Sequence, residues 1–308
     1  MINDQKNLDN CIFIKTILMT LVILYHSMIF WGGDWFNVKS VAIQCNVLIY
    51  LAQWLNSFHI YGFVLISGYI FEYLKNERNR YKKFLAFVVN KIKRLLIPYV
   101  FVAFVWVIPI SSVWFLYKWT RNDLGAILIS ILSLGIGIIG GKLLTNIFCI
   151  WTAFTYIPYF VIGMKIREKK NFCFYKIPKY AWPIIQILLF SLWQITGDNQ
   201  EIIFKLLSIV FQYCTYIFGA LMSFFVLQGL AEKVDWRNNK MFMFLSKQSM
   251  AIYLFHQQII YFTISYFNGK INPFSNVLMN FLIAILLSSL ISKFLMRFKC
   301  TRVLVGEK

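Results

Sequence analysis

The stretch CIFIKTILMTLVILYHSMIFW, Cys11 to Trp31, is an apolar run that carries one lysine, Lys15, and one histidine, His26. At ~1.5 Å per residue on an α-helix, such a run is long enough to cross a hydrocarbon core of ~30 Å. The polar segment before it, MINDQKNLDN, lacks the features of a removable signal peptide. We therefore expect the run to be retained as a first membrane span.

The rest of the chain repeats this pattern. Of 308 residues, 59% are hydrophobic and 14% are charged, and long apolar runs alternate with short basic loops. This alternation is typical of a polytopic helical membrane protein, whereas a soluble domain would alternate polar and apolar faces. We predict an all-α integral membrane bundle of about 8–10 transmembrane segments. It would form one membrane domain over 1–308, with no soluble catalytic domain.

The basic residues that give the net charge of +19 are concentrated in a few loop regions. By the positive-inside rule these regions and both termini face the cytoplasm. Basic loops of this kind set topology and contact membrane lipids, so we expect no nucleic-acid partner. The basic regions lie at 75–94, at 165–179, which includes Arg167, at 233–247, which ends at Lys247, and at 293–302.

A set of predicted spans satisfies this topology. They cover 11–31, 58–74, 95–117, 146–166, 181–196, 202–230, 249–268 and 276–298. Two further apolar segments are 43–57 and 124–141. If either of them crossed the membrane alone, the next basic loop would lie outside the cytoplasm. We expect them to be re-entrant or to lie along the outer surface, with about ten crossings as the alternative.

Lys15 and His26 are separated by ten residues that carry no charge. Eleven residues turn an α-helix about 20° past three full turns, so both side chains share one face, ~16 Å apart along the axis. An ionisable residue at membrane depth usually faces a bundle interior or an aqueous cavity and has a function. The structural alternative is a neutral His26 that hydrogen-bonds to another helix.

The other two histidines also lie in apolar segments, His59 in FHIYGFVLISGYIF and His256 in SMAIYLFHQQIIYF. We expect the three imidazoles to converge on one cavity. A zinc site is the competing interpretation, but no acidic or sulfur ligand follows any histidine at three or four residues. The six cysteines show no CxxC spacing, so we expect them to pack as small hydrophobes and we predict no metal.

These motifs together resemble the acyltransferase-3 family, integral membrane O-acyltransferases of bacterial surface polysaccharides. The likeness covers about residues 8–260. Lys15 stands where the family commonly has arginine, and Gln257 and Gln258 replace its proline region. The matching motifs are Lys15 with His26 eleven residues on, FHIYGFVLISGYIF, NKIKRLLIPY at Asn90–Tyr99, YIPYFVIG at Tyr156–Gly163, and SMAIYLFHQ from Ser249.

The resemblance implies a multi-pass enzyme of the inner, cytoplasmic membrane. It would transfer an acetyl or other acyl group from cytoplasmic acetyl-CoA, a co-substrate rather than a bound cofactor, to a sugar hydroxyl. The acceptor would be a surface or capsular polysaccharide or its lipid-linked precursor. His26 would be the general base, with Lys15 and His256 as further catalytic residues, and the rate would rise with pH as the imidazole loses its proton.

The same resemblance implies two binding regions. Lys91, Lys93 and Arg94 would form a basic mouth for the phosphates of CoA. The acceptor would meet His59, while Trp31, Asp34 and Trp35 would border the outer entrance, either stacking on sugar or forming an interfacial aromatic belt. Ser67 is a possible acyl-enzyme nucleophile, but a small residue beside Gly68 at a helix crossing explains it better.

A transporter or flippase for a lipid-linked glycan is the alternative function. Such a protein would also be basic, polytopic and rich in aromatic residues. It would be favoured by paired sequence repeats and broken helices at the midplane, and the sequence shows no clear internal symmetry.

Overall fold

The computed structural model describes residues 2–32, 41–78, 159–160, 162–167 and 173–302. Across these ranges the chain is helical and forms no β-strand, which confirms the predicted all-α class. Predicted span 95–117 and segment 124–141 lie outside the described residues. The helices are α1 Ile2–Ser27, α2 Ile29–Gly32, α3 Asn46–Asn56, α4 His59–Glu72, α5 Ala181–Gly197, α6 Ile202–Lys233, α7 Lys240–Phe267, α8 Pro273–Leu295 and α9 Lys299–Arg302.

Helix α1 packs against α4, α6, α7 and α8, so the described helices assemble around it. Ile14, Leu18 and Ile23, which point in different directions around the helix, are each at most 1% exposed. Two helical hairpins flank it, α5 with α6 and α7 with α8. The first predicted span is therefore the central element of the described bundle.

Each helix of the α7–α8 hairpin begins after an asparagine whose side chain caps it. The Asn239 side chain accepts a hydrogen bond from the Phe242 N–H at the start of α7. The Asn272 side chain does the same for Phe274 at the start of α8, where Pro273 occupies the first turn. Gly269, with φ of +75°, makes the left-handed turn between the two helices.

One predicted boundary is wrong. Helix α7 starts at Lys240, so Lys247 lies inside a helix and not in the basic loop that was predicted to end there. Segment 43–57 contains the regular helix α3, followed by α4 after only Ser57 and Phe58. The prediction that this segment is re-entrant or lies on the outer surface stays a prediction.

In the part of the chain that the structure describes, four helical stretches are long and apolar enough to span a membrane, namely Leu8–Ser27, Asn46–Glu72, Ile202–Lys233 and Pro273–Leu295. Helix α8 shows how such a helix divides its faces. Leu282, Leu286 and Leu290 are each more than half exposed, whereas Asn280 and Ser288 on the other face are fully buried. An apolar outside and a small or polar inside are typical of helices that pack in lipid.

We predict that Leu286→Lys blocks membrane insertion or folding. A charged side chain near the middle of a lipid-facing span costs about 2.5–3.5 kcal/mol on insertion scales. The measurement is the amount of monodisperse protein recovered from membranes in mild detergent. Leu286→Ala is the matched control, since it shortens the same side chain without adding charge. Equal recovery of the lysine variant would show that this face of α8 does not meet lipid.

Helix α4 and the helical segment 162–167 cross backbone to backbone. A Cβ added at Gly68 would collide with the carbonyl oxygen of Phe160, and one added at Gly163 would collide with the carbonyl oxygen of Leu65. Only glycine permits this approach at both positions. The crossing joins two of the motifs that carry the family resemblance, and it accounts for the glycine beside Ser67.

We expect Gly68→Ala to lower the melting temperature of the detergent-solubilised protein clearly, because the backbones must separate to admit a methyl group. Ser67→Ala is the control, since the exposed Ser67 hydroxyl only donates to the Phe63 carbonyl of its own helix at 2.8 Å. Equal melting temperatures for the two variants would contradict the close crossing.

Candidate active site

The packing of α1 against α4 and α7 brings the three histidines together. The ring centroids of His26 and His256 lie 5.1 Å apart. Tyr25 links them to the third imidazole, because its ring centroid is 5.1 Å from that of His26 and 5.0 Å from that of His59. The three imidazoles therefore lie close together in the described helices, and the single cavity on which we expect them to converge stays a prediction.

His59 is placed by the break between α3 and α4. The ring nitrogen Nδ1 of His59 lies 2.6 Å from the carbonyl oxygen of Leu55 in the last turn of α3. A carbonyl only accepts, so Nδ1 carries the proton and donates, supplying a partner to a carbonyl near the end of a helix. In its neutral form His59 therefore presents the lone pair of Nε2.

Hydrogen bonds from α5 stabilise the same break between α3 and α4. Gln186 of α5 is fully buried, and its Nε2 donates to the Ser57 hydroxyl at 3.0 Å. Its Oε1 accepts from the Trp54 indole N–H at 2.6 Å. One amide thus joins α5 to the end of α3 and to the turn before α4, and so helps to fix the position of His59.

His256 has the same protonation pattern on α7. Its Nδ1 donates to the Tyr253 carbonyl at 2.7 Å, which leaves the lone pair on Nε2. The residue is 1% exposed, and Nε2 has no hydrogen-bond partner among the described residues. A buried acceptor without a donor costs about 1–3 kcal/mol, so this nitrogen is suited to accept from a substrate hydroxyl. It is not suited, while neutral, to donate to an oxyanion.

His26 completes the cluster from α1. It is half-buried, and its Nε2 lies 3.3 Å from the side-chain nitrogen of Gln257 on α7. The imidazole thus contacts two consecutive residues of α7, His256 through its ring and Gln257 through a hydrogen bond. The contact with Gln257 is of the kind that the structural alternative for His26 requires, so activity measurements must separate the two interpretations.

Lys15 lies on the same continuous helix as His26, which confirms the shared-face geometry predicted from their spacing. It is half-buried and lies within electrostatic range of the Cys11 thiol, as does Arg167. These two cations therefore lie near the same end of α1. The other predicted cationic residues, Lys91, Lys93 and Arg94, lie outside the described residues.

The predicted acceptor residues are not all brought to the histidines. Trp31 is 6% exposed, and its indole N–H donates to the Ile43 carbonyl at 3.0 Å, so it packs in the core and does not offer an open stacking face. Ser67 is exposed and bonds within its own helix. Asp34 and Trp35 lie outside the described residues.

The predicted basic loop implied that Arg167 is exposed, and this prediction is wrong. It is 4% exposed, and its guanidinium donates to both carboxylate oxygens of Glu77, at 2.7 and 2.6 Å. It also donates to the Tyr69 hydroxyl at 3.1 Å and stacks 4.8 Å from the centre of the Tyr73 ring. The π-helical turn Tyr73–Glu77 presents the carboxylate for this bidentate pairing, which favours arginine over lysine.

We predict that Glu77→Gln destabilises the protein, because it leaves the guanidinium of Arg167 buried without its counter-charge. The measurement is the melting temperature in detergent. Glu232→Gln is the control, since Glu232 pairs with Lys179 at 3.0 Å on the surface, where an ion pair contributes at most ~1 kcal/mol. If the two variants lost the same stability, the pairing of the buried Arg167 with Glu77 would have no special role.

Sequence reasoning missed Gln186, Glu77 and the role of Gln257. An amide inside an otherwise apolar run is a signal for Gln186, because such a group needs a partner within the bundle. Gln257 stands next to a candidate histidine where the resembling family has its proline region. Glu77 gave no such signal, since an acidic residue among several basic ones is usual in a loop.

The described residues include no group of three histidine, cysteine or acidic side chains that could hold a metal ion. The titratable groups that the cluster brings together are imidazoles. Two of them present lone pairs, and the third is held by a neutral amide. Such an arrangement is suited to moving a proton from a hydroxyl group.

Fold and site together define a multi-pass helical membrane protein with a buried histidine cluster. The family model of the acyltransferase-3 acyltransferase domain matches residues 8–117 and 112–296. The chain therefore belongs to the acyltransferase-3 family and is a membrane acyltransferase. Comparisons with curated proteins and with solved structures find no match.

Proposed function

We propose that the protein is an O-acyltransferase that moves an acetyl group from acetyl-CoA to a sugar hydroxyl. The acceptor would be a surface or capsular polysaccharide or its lipid-linked precursor, and the enzyme would reside in the inner, cytoplasmic membrane. The observation that carries the proposal is the cluster of His26, His59 and His256 on three packed helices. Family membership supports the acyl-transfer class, and the cluster supplies the proton acceptors that this chemistry needs.

In the proposed reaction the sugar hydroxyl oxygen attacks the thioester carbonyl carbon of acetyl-CoA while His26 removes the hydroxyl proton. The carbon–sulfur bond then breaks, and the proton passes to the departing CoA thiolate, so that an ester and free CoA are formed. The His256 Nε2 lone pair would accept a hydrogen bond from a neighbouring hydroxyl of the same sugar and so orient the acceptor. General base catalysis of this kind contributes typically 10²–10⁴-fold.

The donor would enter from the end of α1 that carries Lys15. The 3′-phospho-ADP part of CoA is polyanionic, so a basic mouth of Lys91, Lys93 and Arg94 would hold it from the cytoplasm. Lys15 lies ~16 Å along α1 from His26, so the narrow pantetheine arm would run between the two residues. Arg167 forms an ion pair with Glu77, so we assign it a packing role near this end of α1.

The decisive assay uses purified protein in detergent or nanodiscs with radiolabelled acetyl-CoA. An acyltransferase releases free CoA and passes label to a glycan acceptor or to water, whereas a lipid-linked glycan transporter does neither. Mass spectrometry of surface polysaccharide from cells with and without the protein identifies the product. A difference of one acetyl group supports the proposal, and another acyl mass would correct the donor.

We predict that His26→Gln lowers kcat by on the order of 10² or more with little change in the donor KM, because only the proton transfer is lost. Lys15→Arg should retain activity and Lys15→Ala should not, since the position needs a positive charge. Each variant is compared with the parent by insertion and melting temperature before kinetics. Near-parental turnover in well-folded His26→Gln would leave His26 with only a packing role.

A further inference from the structure

The hydrogen bond between His26 and Gln257 connects two helices at the centre of the histidine cluster. Gln257 follows His256 on α7, is half-buried, and its amide nitrogen lies 3.3 Å from His26 Nε2 on α1. His256 faces the same imidazole with its ring, 5.1 Å away between centroids. The orientation of the His26 ring is therefore set by a residue to which the proposed reaction gives no role.

A side-chain amide can serve an imidazole in either of its protonation states. Its NH₂ group donates to a ring nitrogen that has a lone pair, which is the contact observed, and its oxygen accepts from a ring N–H once the amide turns by 180°. The bond therefore survives when His26 gains or loses a proton. A carboxylate in the same place would favour the imidazolium form only.

We propose that Gln257 is a positioning residue for His26. In the reacting tautomer His26 Nε2–H donates to the Gln257 oxygen, so that Nδ1 carries the lone pair that removes the hydroxyl proton. This is the logic of a base oriented by a third group, with a neutral amide as the orienting group. The proposal rests on the proposed function, since it assigns His26 the role of base.

The groups that face His26 make the charge of this partner important. Tyr25 lies beside it on α1, His256 faces it from α7, and His59 on α4 lies within electrostatic range. His59 and His256 both use Nδ1 to donate to backbone carbonyls, so in their neutral forms they present lone pairs and no charge. A carboxylate at position 257 would therefore add a negative charge within hydrogen-bonding distance of the base.

Gln258 provides a matched control one residue further along α7. With its amide turned so that the nitrogen faces them, Gln258 donates to the carbonyl oxygens of Leu254 and Phe255 on its own helix, at 3.0 and 3.1 Å. It has the same side chain, a comparable half-buried position and the same helix as Gln257. A general effect of losing an amide from α7 would appear at both positions, whereas an effect on His26 would appear at only one.

The kinetic test compares Gln257→Met, Gln257→Glu and Gln258→Met with the parent over the pH range of activity. Gln257→Met, similar in volume but without the amide, should lower kcat roughly tenfold or more while leaving the donor KM unchanged. Gln257→Glu should move the acidic limb of the pH–rate profile up by about one pH unit, because His26 then keeps its proton to higher pH. Gln258→Met should resemble the parent in both respects.

A second measurement does not depend on activity. The chain has only three histidines, so ring ¹⁵N signals from labelled histidine can be assigned with single His→Gln variants. The His26 ring should titrate at higher pH in Gln257→Glu than in the parent, and its tautomer balance should change in Gln257→Met. These spectra also show whether each variant keeps the fold.

The outcomes separate this inference from the proposed function. Parental kcat and pH profile in both Gln257 variants, with activity still abolished by His26→Gln, would overturn the role of Gln257 alone. Absence of acyl transfer by the parent would overturn the proposed function, and an unchanged His26 titration in Gln257→Glu would then overturn the hydrogen bond as well. The selective losses described above, absent from Gln258→Met, would establish Gln257 as the positioning residue.

Discussion

A polar side chain carried into an apolar helix bundle must find its partners inside that bundle, and this constraint organises the protein around α1. Helix α1 brings His26 against α4 and α7, and each of these two helices contributes another imidazole. One nitrogen of each ring is hydrogen-bonded, to a backbone carbonyl in His59 and His256 and to the Gln257 amide in His26. What remains for chemistry is a small set of lone pairs at defined positions, surrounded by a tightly packed apolar core.

The same constraint explains the contacts that support the site from a distance. Gln186 is buried on α5 because Ser57 and Trp54 supply both a donor and an acceptor for its amide. Arg167 is buried because Glu77 neutralises its charge with two hydrogen bonds. Each contact ties one end of α4 to another helix, so the helix that positions His59 is held at both ends. A base that must meet its substrate at hydrogen-bonding distance benefits from such rigid support.

Helix packing in this protein depends on small residues as well as on polar ones. The crossing at Gly68 and Gly163 brings two backbones together more closely than any side chain would allow. Lipid tails are as apolar as leucine, so helices associate in a membrane chiefly through such close contacts and through interhelical hydrogen bonds. The outward leucines of α8 and its buried asparagine and serines show the complementary side of the same rule.

The sequence by itself determined the helical membrane class, the first span and the candidate histidines, because apolar runs and isolated ionisable residues are local patterns. The spacing of Lys15 and His26 also predicted their shared face, since a continuous helix needs no tertiary information to relate them. Only the tertiary structure decided which side chains meet across helices. Arg167 and Gln257 look like a loop cation and a helix amide until Glu77 and His26 are brought beside them. Their partners lie far away in the chain, and no local pattern records a distance between helices.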